Sequence, residues 1–223
     1  MTFSIVARCA RTGQFGMAIS SSSPAVAARC AHVRAGVGAV ASQNITDPTL
    51  GPLVLDRLEA GLPAAEALQT VTSGRPHIDY RQLLVVDGEG RTAIHSGRQV
   101  LGIWGEARAT DCAAGGNLLA GELVPMAMVE AFAGSSGHLG ERLMRALEAG
   151  LKAGGEAGPV HSAGLKVADR LSWPLVDLRI DWAEDPIGML RSAWDVYAPQ
   201  MGAYVQRAED PTQAPSYGVP GDE

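Results

Sequence analysis

A threonine stands directly behind the first methionine, and an apolar, β-prone run, Phe3 to Cys9, begins at once. A threonine hydroxyl is a weak nucleophile unless a base takes its proton. Removing Met1 would give Thr2 such a base on the same residue, because a free α-amine titrates near pH 8 and accepts a proton close to neutrality. The plainer alternative is that Thr2 merely opens a strand.

Further polar residues fall where strands end. Ser20, Ser21, Ser22 and Ser23 close the second apolar run, beside the start of the first if the two form a hairpin. They would then either reach Thr2 or a substrate, or form a Ser-rich turn before Pro24. Gln43 and Asn44 follow a third run and offer amide donors for an oxyanion, or else stabilise the turn before Asp47. Asn117, behind Gly115 and Gly116, reads first as a helix cap, with anion or carbonyl binding compatible with that role. His161 and Ser162 precede another strand, with Glu156 a candidate partner for the imidazole. Asp177, Arg179 and Asp181 alternate onto one strand face, as an ion-pair network or, at a cleft, as recognition material.

Other chemistries find no support. The five histidines are dispersed, without HxxxH or Cys/His spacing, so no metal site is expected. There is neither a phosphate loop nor a dinucleotide fingerprint, and no cofactor is expected.

The elements that must position these residues follow from the apolar pattern. Phe3–Cys9 and Phe15–Ser20 flank a turn at Gly13, and Val37–Ser42 is a third strand. Helices are expected from Asp47 or Thr49 to Gly61 and from Leu62 to Val71, then a hairpin of Arg81–Asp87 with Arg91–Gly97. Two helices, Asn117–Phe132 and Leu139–Ala149, precede strands His161–Ala168 and Leu175–Asp181 and a final helix, Ile187–Tyr197. This order does not alternate as a doubly wound parallel fold does. It points instead to an α+β fold, a four-layer α-β-β-α sandwich with mainly antiparallel sheets. One domain is expected over residues 1–208, with a loose tail over 209–223.

The 18 basic and 24 acidic residues give a formal charge of -6, with no Lys/Arg block interleaved with aromatics, which argues against nucleic acid as a partner. No apolar stretch is long enough to span a membrane, and no secretory signal is visible. Three cysteines without CxxC spacing suit a reducing compartment, so a cytoplasmic protein is expected. Trp182 and Trp194 near the last helix either complete the core or bury a subunit contact, and a homodimer or other homo-oligomer is expected.

The stretch Met1-Thr-Phe-Ser-Ile-Val-Ala-Arg8, together with Gly36-Val-Gly-Ala-Val-Ala-Ser-Gln43, Arg81-Gln82, Val86-Asp87, Gly116-Asn117, Ser162-Ala163 and Asp177-Leu-Arg-Ile-Asp181, resembles the domain of unknown function 1028 family. That family is placed in the N-terminal-nucleophile hydrolase superfamily, and the resemblance covers roughly the first nine-tenths of the chain. It implies an α-β-β-α fold whose first strand presents residue two at a cleft between the sheets, with Thr2 as the catalytic residue. The chain also departs from the family's pattern. Trp104-Gly105-Glu106-Ala107 replaces a Trp-Ala-Gly-His segment, and Cys112-Ala-Ala-Gly-Gly-Asn117 replaces Tyr-x-x-Gln-Gly-Asn. Glu156-Ala-Gly-Pro159 stands for Asp-x-Arg-Gly, and His161 stands for a glutamine. The missing arginine removes a bidentate fork from ligand recognition, and His161 substitutes for it only in part.

Two functions follow as expectations. One is a cofactor-independent amidohydrolase acting on a small amide or amidated metabolite through Thr2. The other is a noncatalytic small-metabolite-binding protein retaining the same fold.

Overall fold

The computed structural model describes residues 1–221. The first strands, β1 (Thr2–Arg8) and β2 (Phe15–Ser21), form the expected hairpin, with Gly13 at φ +76° in its turn. Next come a short helix α1 (Val26–Cys30), β3 (Ala31–Arg34) and β4 (Gly38–Asn44). Helices α2 (Leu50–Glu59) and α3 (Ala64–Thr72) lead to the hairpin β5 (Arg81–Asp87) and β6 (Thr92–Ser96). A further hairpin, β7 (Gly105–Ala109) and β8 (Cys112–Asn117), precedes α4 (Val124–Ala133) and α5 (Leu139–Lys152). The remainder is β9 (Ser162–Ala168), β10 (Val176–Ile180), α6 (Pro186–Tyr197) and α7 (Met201–Glu209).

The strands make two antiparallel sheets, one in the order β10-β9-β2-β1-β8-β7 and the other β3-β4-β5-β6. Strand β1 is central and buried on both faces, and strand periodicity divides its residues between two cores. Phe3, Ile5 and Ala7 pack with Val124 and Met128 of α4, Leu143 and Leu147 of α5 and Leu190 of α6. Val6 packs with Phe15, Met17 and Ile19 of its own sheet and with Ala39, Ala41, Leu84 and Val86 of the other. The opposite parity of the second sheet, Val40, Leu83 and Val85, packs with α2 and α3. Thr2 and Ser4 share the parity of Val6. They therefore face the second sheet.

Several expectations are corrected. Asn117 is the last residue of β8, not a helix cap, and the following helix begins only at Val124. The run Cys112–Asn117 is Ala/Gly-rich and carries no strand propensity of its own. It is a strand because it lies between β1 and β7, where a Cβ on Gly115 would meet Leu84 Cδ2 at 2.9 Å and one on Gly116 would meet the Thr2 carbonyl at 2.9 Å. Helix α1 and strand β3 are too short to show a period, and α7 extends the chain past the expected final helix. Trp194 is buried and donates to Glu141 at 2.9 Å, so it belongs to the core, while Trp182 is 59% exposed. In the segment expected to be a loose tail, Pro211–Gln213 forms a 3-10 turn and the Arg207 guanidinium lies 3.6 Å from the Tyr217 ring centroid. The last two residues of that segment, 222 and 223, lie outside the described residues.

Candidate functional site

Thr2 is 5% exposed at the start of β1, directly opposite Asn117 of β8. Its hydroxyl donates to the Met1 carbonyl and lies 3.5 Å from Ser21 Oγ. Ser21 in turn donates to the same carbonyl at 2.5 Å, lies 2.9 Å from Ser23 Oγ and accepts from the Ser23 amide at 3.1 Å. Two hydroxyls thus converge on one carbonyl, that of the Met1–Thr2 peptide bond. Removing Met1 would free both and expose the α-amine of Thr2.

Beneath Thr2 a ladder of buried polar side chains joins the sheets. Ser4 Oγ donates to Gln43 Oε1 at 2.6 Å, and Gln43 Nε2 donates to Gln82 Oε1 at 2.9 Å and to the Gly115 carbonyl at 3.2 Å. Gln82 Nε2 donates to Ser96 Oγ at 3.1 Å and to the Gly116 carbonyl at 3.3 Å. Asn117 Nδ2 donates to Gln82 Oε1 at 3.4 Å, whereas Asn117 Oδ1 is buried without a partner among the described residues. Ser4, Gln43, Gln82 and Asn117 are all 0% exposed. An orphaned acceptor next to Thr2 is an anomaly, since buried polar groups are ordinarily paired. Gln43 has spent both amide protons within the ladder and is no longer an oxyanion donor, contrary to expectation. Gln82, Ser4 and Ser96 are site residues that sequence reasoning did not single out. Their signal is a polar residue on the parity that otherwise carries Val6, Leu84 and Val86.

Glu156 sits on a segment bridged to Leu119, and both its carboxylate oxygens accept from the Ser22 amide at 3.1 Å. The expected pairing with His161 is replaced by this contact. The imidazole instead donates from Nδ1 to the Ala183 carbonyl at 3.2 Å and stacks on Trp182, with ring centroids 4.4 Å apart. Burial pushes the Glu156 carboxyl up to about 7, although the α-ammonium, the Ser22 bonds and the His161 charge each pull it down.

That shift has a sign that can be measured. In the unfolded chain a glutamate titrates near pH 4.3. Below that value both states are protonated and ionisation costs nothing. As pH rises toward 7 the unfolded state ionises first, so Glu156 lowers stability across this window by at most about 4 kcal/mol. Glu156→Gln keeps an acceptor for the Ser22 amide, and its Tm should therefore fall less between pH 5 and 7.5 than that of the wild type. Parallel melting curves for the two proteins would contradict the assignment.

The remaining candidates take structural or peripheral places. Ser20 donates to the Ser162 carbonyl at 2.9 Å, and Ser162 Oγ donates to the Ser23 carbonyl at 2.6 Å and accepts from the Val26 amide at 3.2 Å. These serines hold the β2–α1 turn behind Thr2. Asn44, at φ +72°, donates to the Tyr80 carbonyl at 2.6 Å and accepts from the Leu101 amide at 3.3 Å, tying two loops rather than aiming at an oxyanion. Asp177 pairs with Lys166 of β9 at 3.1 Å, so no carboxylate–Arg179–carboxylate network forms. Arg179 and Asp181 are exposed on or beside the edge strand β10. Among the described residues no group of three or more His, Cys, Asp or Glu is arranged to hold a metal ion, and no helix is long and apolar enough to cross a membrane. Concavities of about 550 and 420 Å³ open at the far end of β1, away from Thr2.

Fold and site together define an α+β protein of two antiparallel sheets, whose central strand begins with a buried threonine over a polar ladder. The chain belongs to the family of unknown function DUF1028, whose profile matches residues 2–190. It is similar to protein SPO2555 from Silicibacter pomeroyi, of the same family, with 31% identity over 92% of this chain and 90% of that one and a TM-score of 0.85. Anbu (ancestral beta-subunit) from Yersinia bercovieri gives 12% identity over 91% of this chain and 97% of that one, with a TM-score of 0.39. A comparison with curated proteins finds no match.

Proposed function

We propose that the chain is an N-terminal-nucleophile amidohydrolase with a four-layer α-β-β-α architecture, acting on a small amide once Met1 is removed. The observation that carries this reading is the position of Thr2. Its hydroxyl is held with Ser21 against a carbonyl oxygen at the head of the central strand, beside an asparagine with an unspent acceptor. A substrate carbonyl would take the place of the Met1 carbonyl. Thr2 Oγ1 then attacks the amide carbon while its proton passes to the Thr2 α-amine. Ser21 Oγ, which already donates to the Met1 carbonyl, would donate to the developing oxyanion, with the second Asn117 Nδ2 proton a further candidate donor. Collapse breaks the C–N bond, with the α-ammonium returning its proton to the leaving amine. Water, deprotonated by the same amine, then hydrolyses the ester to release the acid. The ligand is therefore a small molecule, with no cofactor or metal required by the scheme.

Intact mass and turnover test the reading together. Protein lacking Met1 should hydrolyse at least one member of a panel of small primary and secondary amides, and a form forced to retain Met1 should hydrolyse none. Equal rates for the two forms would end the N-terminal mechanism.

A further inference from the structure

At the opposite end of β1, roughly 20 Å from Thr2 by strand rise, the chain gathers a second set of polar groups. Arg8 closes the strand, Arg11 lies in the following turn, Asp111 sits between β7 and β8, Ser136 and Gly137 precede α5, and Arg142 lies on its second turn. A cavity of about 420 Å³ opens among them, with Cys9 in its wall.

The charges here do not cancel. Arg8 is paired with Asp111 at 3.0 Å, which accounts for the one carboxylate lining the cavity. Arg11 is exposed and forms no ion pair or side-chain hydrogen bond among the described residues. Arg142 donates from Nη2 to the Phe132 carbonyl at 3.2 Å and lies over the Phe132 ring at 3.9 Å, while its Nε is buried with no acceptor. Among the described residues, two guanidinium charges are left without a counter-ion. Ser136 and Gly137 are exposed at the same rim. Cys9 feels one of these charges, that of Arg142, as the smallest of several pulls on its thiol. Burial pushes its thiol up, yet hydrogen bonds from Thr12 and Arg11 and the charge of Arg142 outweigh that and leave it below the usual range.

We propose that this cavity binds a small phosphorylated metabolite, its phosphate held between Arg11 and Arg142. A phosphate monoester carries close to two negative charges at neutral pH, matching the two unpaired guanidiniums. Its oxygens accept the paired N–H groups of a guanidinium fork. The volume lies in the range of small-molecule sites, so the organic body has room beside the phosphate. The proposal does not depend on Thr2 chemistry.

Calorimetric titration of the full chain with inorganic phosphate, a panel of monoesters (glycerol 3-phosphate, ribose 5-phosphate, phenyl phosphate) and succinate tests it. Saturable binding is expected for phosphate, with at least one monoester tighter. Arg11→Gln and Arg142→Gln should each weaken that binding about tenfold, the loss of one charge-assisted contact. The exposed Arg98→Gln should leave it unchanged. If Arg142→Gln fails to fold, Arg142→Lys keeps the charge without the fork and should still weaken binding. The proposal is overturned if no phosphate compound binds, if succinate competes equally, if only inorganic phosphate binds, or if folded Arg11 and Arg142 variants bind as the wild type does.

Discussion

Thr2→Ala in protein that has lost Met1 should reduce kcat by about 10³-fold or more while leaving the melting temperature nearly unchanged. The asymmetry follows from what the hydroxyl touches. Among the described residues Thr2 Oγ1 hydrogen-bonds only with the Met1 carbonyl and Ser21 Oγ, and both are at the end of a strand whose register is set by its six-residue pairings with β2 and β8. Alanine keeps the α-amine, the strand and the ladder beneath. It removes one oxygen. Thr2→Ser restores that oxygen and should recover most of the rate, losing only the orientation that the γ-methyl imposes on χ1. Rates for the three proteins on a single amide, with melting curves alongside, decide the matter. Retained turnover in the alanine variant would remove Thr2 from the chemistry. A wild type that binds a ligand at this site without turnover, equally well with alanine at position 2, would favour the noncatalytic alternative.

Much of the frame behind that prediction is legible in the sequence. Strands β1, β2, β5, β9 and β10 declare themselves by Val, Ile, Leu and Phe in short runs, and their hairpins by Gly13 and by Gly88–Gly90. Strand β8 does not, because nothing in Cys-Ala-Ala-Gly-Gly-Asn prefers a strand. Its conformation is imposed by neighbours on both sides, and small residues are what allow β1 and Leu84 to approach it. Without the β8 pairing, Asn117 reads as a helix cap. Once β8 is a strand, Asn117 faces Thr2 and the second sheet. The site's serines were legible as a group but not in their division of labour. Ser20 and Ser21 point to opposite faces of β2, so one ties the backbone of β9 while the other reaches the Met1 carbonyl. The charged trio on β10 was readable as an alternating face. That this face meets Lys166 depends on β9–β10 register, which is a tertiary fact.

Gln82→Leu, a nearly volume-conserving change, should nonetheless cost about 3 kcal/mol of stability, because the ladder fails at its centre. Gln82 Oε1 is the acceptor for both Gln43 Nε2 and Asn117 Nδ2, and its Nε2 supplies Ser96 Oγ and the Gly116 carbonyl. Gln43 retains the Gly115 carbonyl, but Asn117 loses its one side-chain partner while already carrying an unpaired Oδ1. Each buried group left unpaired costs about 1–3 kcal/mol, more than the hydrogen bond itself contributes. At this chain length the loss corresponds to a Tm lower by about 6–12 °C. Gln43→Leu alone should be similarly costly, since it strands Ser4 Oγ and leaves Gln82 Oε1 with only the long Asn117 contact. The double variant should cost clearly less than the sum of the two, because the groups each change strands are partly removed by the other. Additive losses would mean that the glutamines act independently through packing. In that case the polar seam between the sheets would not be what holds Asn117 opposite Thr2.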